Sequence, residues 1–399
     1  MLTSLALIFL SGLILADIFK KLRLPRLLGM IIGGILLGPY VLNALDGTIL
    51  GISAELRKIA LIIILIRAGL ALDVEELKKV GRPAVLMCFV PASFEILGIV
   101  LIAPKILGVT VAEAAVIGAV TAAVSPAVIV PSMIKLMDEK YGTSKSIPQL
   151  IMAGASVDDV FVIVLFTSCT ALVQGGDMSI GSFVSVPISI ILGIILGMAV
   201  GFLASKIFRK IHMRDSMKVL IILSISFLLI ALEETLKNIL PISGLLSIMT
   251  MGISLLKNYK TLANRLSQKF NKLWVGAEII LFVLVGATVD PQYIAMSGAS
   301  AVIVILGGLI FRAVGVIISL MGTELNLKER VFCVFAYSPK ATVQAAIGGI
   351  PLAMRLSCGN IVLTVAVLAI LITAPLGSIA IDLSYKKLLK KEKNNEEAA

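Results

Sequence analysis

Pro148-Gln-Leu-Ile-Met-Ala-Gly-Ala-Ser-Val-Asp158-Asp159-Val-Phe-Val-Ile-Val-Leu-Phe-Thr-Ser-Cys-Thr-Ala-Leu-Val173 is an apolar run long enough to cross a bilayer, and it carries two adjacent acids near its middle. A charge at that depth costs from about 2.5 to more than about 10 kcal/mol. Two together point to use. Neighbouring residues on a helix point about 100° apart, so the two acids need not do the same work. Side by side and away from water, they are costly to ionise together. Such a site can hold a proton or a metal cation. A neutral pair bonded to nearby helices is the plain structural alternative.

Working outward, the rest of the chain has the same character. It is 399 residues long, 59% hydrophobic and 15% charged, with a mean hydropathy of +1.07. Soluble domains carry about 25% charged residues. The apolar residues come in unbroken blocks, which excludes an outer-membrane barrel with its alternating strands. The expected fold class is an all-α polytopic membrane protein with about thirteen transmembrane helices, at 2–19, 27–43, 56–72, 84–103, 112–136, 148–173, 182–205, 218–236, 241–256, 273–289, 298–321, 329–353 and 359–384. The first block lacks the basic start and small-residue cleavage site of a signal peptide, and is expected to be retained.

Charge sets the orientation. The loops after odd-numbered spans, with the tail, hold most of the 35 Lys and Arg residues, including Lys20, Lys21, Arg23, Lys78, Lys79, Arg209, Lys210, Arg265 and Lys269. The opposite side holds Arg57, Lys58, Lys105, Lys237 and Arg355. This asymmetry puts the C-terminus in the cytoplasm and the N-terminus outside, in the cell (inner) membrane. It also accounts for the net charge of +11 without nucleic acid. The cysteines Cys88, Cys169, Cys333 and Cys358 are dispersed, and His212 is the only histidine, so a disulfide framework or a zinc site is not expected.

A weak internal repeat runs through the chain. Leu24-Pro25 parallels Leu240-Pro241, Arg67-Ala-Gly-Leu-Ala-Leu-Asp73 parallels Leu284-Val-Gly-Ala-Thr-Val-Asp290, and Ala123-Val-Ser-Pro126 parallels Ala336-Tyr-Ser-Pro339. The expected organisation is one transmembrane unit, 1–385, with repeats at about 2–173 and 218–384, a connector helix at 182–205 and a charged cytoplasmic tail at 386–399. The copies start on opposite sides of the membrane. Inverted repeats with interrupted helices belong to alternating-access transporters.

The interruptions are visible. Thr121-Ala-Ala-Val-Ser-Pro-Ala-Val-Ile-Val-Pro131 and Ser338-Pro-Lys-Ala-Thr-Val-Gln-Ala-Ala-Ile-Gly-Gly-Ile-Pro351 put prolines inside apolar spans. Proline removes a donor and breaks the helix. Unwound backbone at membrane depth is tolerated where protein or a wet cavity surrounds it. Two breaks at repeat-related positions predict crossed, discontinuous helices, with Lys340 against the negative ends of the half-helices. Glu95 and Arg312, 217 residues apart by their numbering, are expected to form a buried ion pair. Arg67 and Asp73 are placed at the cytoplasmic end of the third span, Glu278 near the start of the tenth. Gly29, Gly33, Gly34 and Gly38 suit close helix packing.

These strings resemble the monovalent cation/proton antiporter superfamily in its Asp-Asp branch, in particular the NHA-type sodium/proton exchangers. The resemblance is carried by Leu27-Leu-Gly-Met-Ile-Ile-Gly-Gly-Ile-Leu-Leu-Gly-Pro39, Ile66-Arg-Ala-Gly-Leu-Ala-Leu-Asp73, Val124-Ser-Pro-Ala-Val-Ile-Val-Pro-Ser-Met133, Ser156-Val-Asp-Asp159 and Ser338-Pro-Lys-Ala-Thr-Val-Gln-Ala-Ala346, and it covers nearly the whole chain. It implies a secondary Na⁺(Li⁺)/H⁺ antiporter rather than an enzyme. It also implies a homodimer, with interleaved dimerisation and core domains and an elevator-like cycle, and no organic cofactor. Asp159 would carry Na⁺ or Li⁺ and the proton, with Asp158 as its partner. Thr121, Ser125 and Ser338 would supply polar atoms near the broken helices. Lys340 would compensate charge, and Glu95 with Arg312 would be the buried pair. Two departures leave the stoichiometry open: Ala123-Val-Ser-Pro126 lacks the acid of bacterial Asp-Asp antiporters, and Arg312 stands where they carry lysine. A K⁺/H⁺ antiporter or K⁺ efflux protein of the same superfamily, and an organic-anion/Na⁺ symporter on a similar fold, are the alternative functions.

Overall fold

The computed structural model describes residues 1–22, 24–71, 81–175, 180–236, 240 and 242–392, with backbone alone at 156, 160, 175 and 180–187. Arg23, Asp73, Lys78, Lys79, Lys237, Pro241 and positions 393–399 of the tail, all invoked above, lie outside the described residues.

The described chain is helical, and its only β pairing is one isolated bridge between Tyr141 and Lys391. In order the helices are α1 (Leu2–Lys21), α2 (Arg26–Leu37), α3 (Gly47–Gly51), α4 (Ser53–Ala71), α5 (Arg82–Met87), α6 (Val90–Leu107), α7 (Val111–Ala122), α8 (Pro126–Asp138) and α9 (Ile147–Gly175). They continue with α10 (Ile180–Lys210), α11 (Asp215–Leu236), α12 (Gly244–Asn258), α13 (Lys260–Ala287), α14 (Pro291–Ser319), α15 (Leu327–Ala336), α16 (Thr342–Ile347), α17 (Ile350–Ala353) and α18 (Gly359–Leu388). Among the described residues, nine helical stretches are long and apolar enough to cross a membrane. The expected number was thirteen. The difference lies in α2 and α12, at 12 and 15 residues, in α4 with its charges Glu55, Arg57, Lys58 and Arg67, and in the interrupted stretch α15–α17.

The chain divides into two compact units that interleave in sequence. One comprises Met1–Ile14, Met30–Asp73 and Ile163–Thr288; the other comprises Leu15–Gly29, Val74–Val162 and Val289–Ala399. In the first, α4 meets α12 where a Cβ on Gly252 would lie 2.9 Å from the Gly69 carbonyl carbon. Ser247 and Ser254 of α12 donate to Gly193 O and Met198 O of α10, at 3.0 and 2.8 Å. Small residues here let backbones approach, as membrane helices require when lipid is as apolar as the side chains. Arg67 of α4 donates to Asn271 Oδ1 at 2.7 Å and stands over the Trp274 ring at 5.3 Å.

The second unit is built around a tight pair, α6 with α14. A Cβ on Gly315 would lie 2.7 Å from Pro91 Cα, and one on Gly308 would lie 3.0 Å from Ile99 Cδ1. This approach brings Glu95 on α6 to Arg312 on α14. Beside them run the two interrupted helices. Each half-helix leading into a break opens with a capping box: Thr110 with Glu113 for α7, and Asn326 with Glu329 for α15. Each box satisfies two orphan amides reciprocally. At the chain end, α18 continues to Leu388, past the expected tail boundary at 386. Beyond it Gly142 donates to Lys390 O and Glu392 donates to Lys140 O, both at 2.9 Å.

Candidate functional site

Three prolines explain how the site is assembled. In a continuous helix each carbonyl accepts from the amide four residues on, and proline has none to give. Pro126 leaves Ala122 O without its donor, Pro339 leaves Phe335 O, and Pro91 leaves Met87 O. Buried carbonyls need partners, and here side chains supply them. Ala122 O accepts from Arg312 Nη1 and from Lys340 Nζ, the latter at 3.3 Å. Phe335 O, on an exposed residue, accepts from the Ser338 hydroxyl at 2.8 Å. Met87 O accepts from the Tyr337 hydroxyl at 2.9 Å.

The two breaks face each other. Ala123–Ser125 separates α7 from α8, and Tyr337–Ala341 separates α15 from α16. Ser125 donates its amide to Pro339 O at 2.9 Å. The hydroxyls of Ser125 and Thr342 lie 3.4 Å apart. Gln344 donates its amide to Thr121 O at 3.2 Å and to Ala123 O at 2.8 Å, and accepts from the Ala341 amide at 2.8 Å. A neutral amide thus joins the C-terminal end of one half-helix to the first turn of another.

Into this crossing the second unit brings five ionisable groups. Glu95 Oε2 accepts from Arg312 Nη1 at 2.8 Å and from Lys340 Nζ at 2.6 Å. Arg312 also donates Nε to Tyr337 O at 2.5 Å and Nη2 to Asp158 Oδ2 at 3.2 Å. The Tyr337 ring lies 5.0 Å from its guanidinium. The expected pair of Glu95 and Arg312 is therefore part of a larger cluster that includes Lys340 and Asp158. Arg312 reaches the carbonyl ends of α7 and α15, and Lys340 that of α7, where the helix dipole is negative. Arginine suits this place because its planar fork serves several acceptors at once and stays charged.

The acid pair is unequal. Asp158 Oδ2 accepts from the Val124 amide at 2.8 Å, in addition to Arg312. Asp158 is 0% exposed and Asp159 9%. The buried Oδ1 atoms of both acids have no hydrogen-bond partner. Buried polar atoms are normally paired, and these two oxygens are the unengaged acceptors of the acid pair. Among the described residues no group of three or more His, Cys, Asp and Glu side chains is arranged for a metal ion.

The other predicted residues sort by geometry. Thr121 sits at the end of α7, but its hydroxyl bonds back to Ile117 O and Gly118 O at 2.9 and 3.1 Å. Ser338 lies at the second break with its hydroxyl engaged by Phe335 O. Ser125 and Lys340 are at the crossing itself. Gln344 and Tyr337 also belong to the site, though neither carries a charge that marks it in the sequence. The signal that finds them is the proline rule, since each orphan carbonyl demands a nearby donor.

The comparisons with known proteins agree with this architecture. The family described as "Sodium/hydrogen exchanger, transmembrane" matches residues 5–385. Human sodium/hydrogen exchanger 9B2 is 33% identical over 387 residues, spanning 92% of this chain and 70% of that protein. Sodium/hydrogen exchanger 9B1 of Macaca fascicularis is 31% identical over 409 residues, spanning 97% and 78%. The solved structure of the sodium proton antiporter MjNhaP1 from Methanocaldococcus jannaschii at pH 8 superposes with a TM-score of 0.84 at 20% identity, covering 96% of this chain and 97% of that one. The fold is thus that of a sodium/proton antiporter, and the chain belongs to the sodium/hydrogen exchanger family of monovalent cation/proton antiporters.

Proposed function

We propose that this antiporter exchanges Na⁺ or Li⁺ for protons by letting them compete for Asp159, in a cycle of elevator-type alternating access. The observation that carries the reading is the inequality of the acids. Both Oδ1 atoms are buried without a partner, but Asp158 is held through Oδ2 by the Val124 amide and Arg312, and no such hold is seen on Asp159. Arg312 and Lys340 supply two positive charges, and Glu95 and Asp158 supply two negative ones. Asp159 is the remaining acid. Loaded with a proton or one monovalent cation, it leaves the cluster without net charge. Empty, it leaves one uncompensated negative charge in a medium of low dielectric, which is costly. Only the loaded forms then cross, and the exchange is one for one and electroneutral.

The moving body in this reading is the second compact unit, which contains all five ionisable groups. The other unit is the scaffold and the dimerisation domain of a homodimer. Ser125 and Thr121 flank the break as polar atoms for the cation, and Lys340 compensates charge. The basic loops support an N-terminus outside and a C-terminus in the cytoplasm of the cell membrane. Nothing is chemically transformed, so the protein is a carrier and not an enzyme.

The test uses purified protein in liposomes with an imposed pH gradient. Na⁺ or Li⁺ is expected to dissipate the gradient with wild-type protein and to have no effect with Asp159→Asn. Full activity in that variant would refute the assignment, and a response to K⁺ alone would refute the choice of ion.

A further inference from the structure

The amide of Val124, which binds Asp158, and the carbonyl of Ala123, which binds Gln344, belong to one peptide unit. A trans peptide is planar, with its N–H and C=O pointing to opposite sides. Gln344 Nε2 donates to the oxygen at 2.8 Å, and Asp158 Oδ2 accepts from the nitrogen at 2.8 Å on the opposite side. The unit lies in the unwound segment, where no helix ladder fixes its orientation. Its direction therefore depends on its two side-chain partners. Gln344 is itself 1% exposed, and its own oxygen is tied to the Ala341 amide at 2.8 Å. It is anchored at one end and grips the peptide at the other.

We propose that Gln344 is a positioning residue that locks the Ala123–Val124 peptide, so that its N–H faces Asp158 and keeps that acid out of the exchange. This rests on the proposed function, in which Asp159 alone is the carrier. With the grip of Gln344 removed, the peptide is free to rotate, and the Val124 amide leaves Asp158. Asp158 then keeps only the Arg312 contact at 3.2 Å, on the same oxygen. Hydrogen bonds in such a chain reinforce one another, so losing one weakens the next. A proton that now binds Asp158 adds a second charge to the proton-loaded form. The cation-loaded form still carries one cation on Asp159. The doubly protonated form carries the one positive charge by which Arg312 and Lys340 exceed Glu95, so it crosses more slowly than the neutral forms, and each such cycle moves two protons against one cation and transfers one net positive charge.

Voltage reads this directly, and a merely structural residue would not change it. Exchange in liposomes is measured at inside-positive and inside-negative potentials for wild type, Gln344→Met and Gln344→Leu, each checked for folding by a monodisperse elution profile. Wild type is expected to show equal rates at both potentials. A folded variant is expected to show rates differing by about threefold or more. Voltage-independent exchange in wild type and in the folded variants would overturn the proposal alone. Failure of both variants to fold would also overturn it, because Gln344 would then be structural only. A voltage-dependent wild type would overturn the charge count beneath it, and the proposal with it.

Discussion

The Tyr337 hydroxyl donates to Met87 O at 2.9 Å, and this carbonyl lacks a helical donor because residue 91 is proline. The bond ties the second break to the junction of α5 and α6, about two turns before Glu95. Tyr337→Phe keeps the ring over Arg312 and removes only the donor. A buried carbonyl left unsatisfied costs about 1–3 kcal/mol. The variant is expected to unfold at a lower temperature than wild type in the same detergent, and an unchanged midpoint would show that the bond contributes nothing.

Arg312 has four acceptors: Glu95, Asp158, Tyr337 O and Ala122 O. Arg312→Lys has no planar fork to reach them together. Removing one partner from a buried ion pair costs about 3–5 kcal/mol, and Arg312→Ala is expected to lose that order of stability. The charge swap Glu95→Arg with Arg312→Glu is expected to fail to restore it. An acid at position 312 would face the carbonyl ends of two half-helices. Thermal unfolding of the single and double variants checks this.

Gly315 is where α14 touches α6. A Cβ there would stand 2.7 Å from Pro91 Cα, a backbone atom that cannot step aside alone. Overpacking of this kind costs about 1–3 kcal/mol. Gly315→Ala is expected to lower the unfolding midpoint and also to slow transport, because the same helix pair carries Glu95 and Arg312. A variant with normal transport and normal stability would show that the close approach is not required.

Asp46, in the loop between α2 and α4, caps α3. Hydrogen bonds from the Thr48 hydroxyl and amide lower its carboxyl from the ordinary 3.8 to about 2. A lowered carboxyl means that the charged cap contributes fully above pH of about 4 and is lost as the pH falls through about 2. Hydrogen exchange at Thr48 and Ile49 is expected to lose protection in that window. With Asp46→Asn the loss is expected to disappear, since asparagine does not titrate.

Much of the fold and of the site was legible in the sequence because lipid imposes strict rules. Apolar runs, basic loops and prolines at depth each have one physical meaning there. The acid pair, both breaks and the contact of Glu95 with Arg312 could be read from residue type and repeat offset. What could not be read was which donor meets which orphan carbonyl. Lys340, expected at half-helix ends, reaches Glu95 as well. Ser338 turns to the freed Phe335 O, and Thr121 bonds back to Ile117 O and Gly118 O, as hydroxyls within helices do. Gln344 and Tyr337 act across more than 200 positions, at separations of 221 and 250, and no local pattern announces such partners. The short helix α2 shows what apolar composition leaves open, since it does not report how long a helix stays regular.

The proposed exchange turns on the proton that a cation displaces from Asp159. Titration calorimetry of Na⁺ or Li⁺ into purified protein, repeated in buffers of different ionisation enthalpy, counts that proton. Release is predicted to approach one proton per bound cation well below the titration midpoint of the site and to fall toward zero well above it, with binding abolished in Asp159→Asn. Cation binding without proton release, or binding that survives in Asp159→Asn, would contradict competition at this acid.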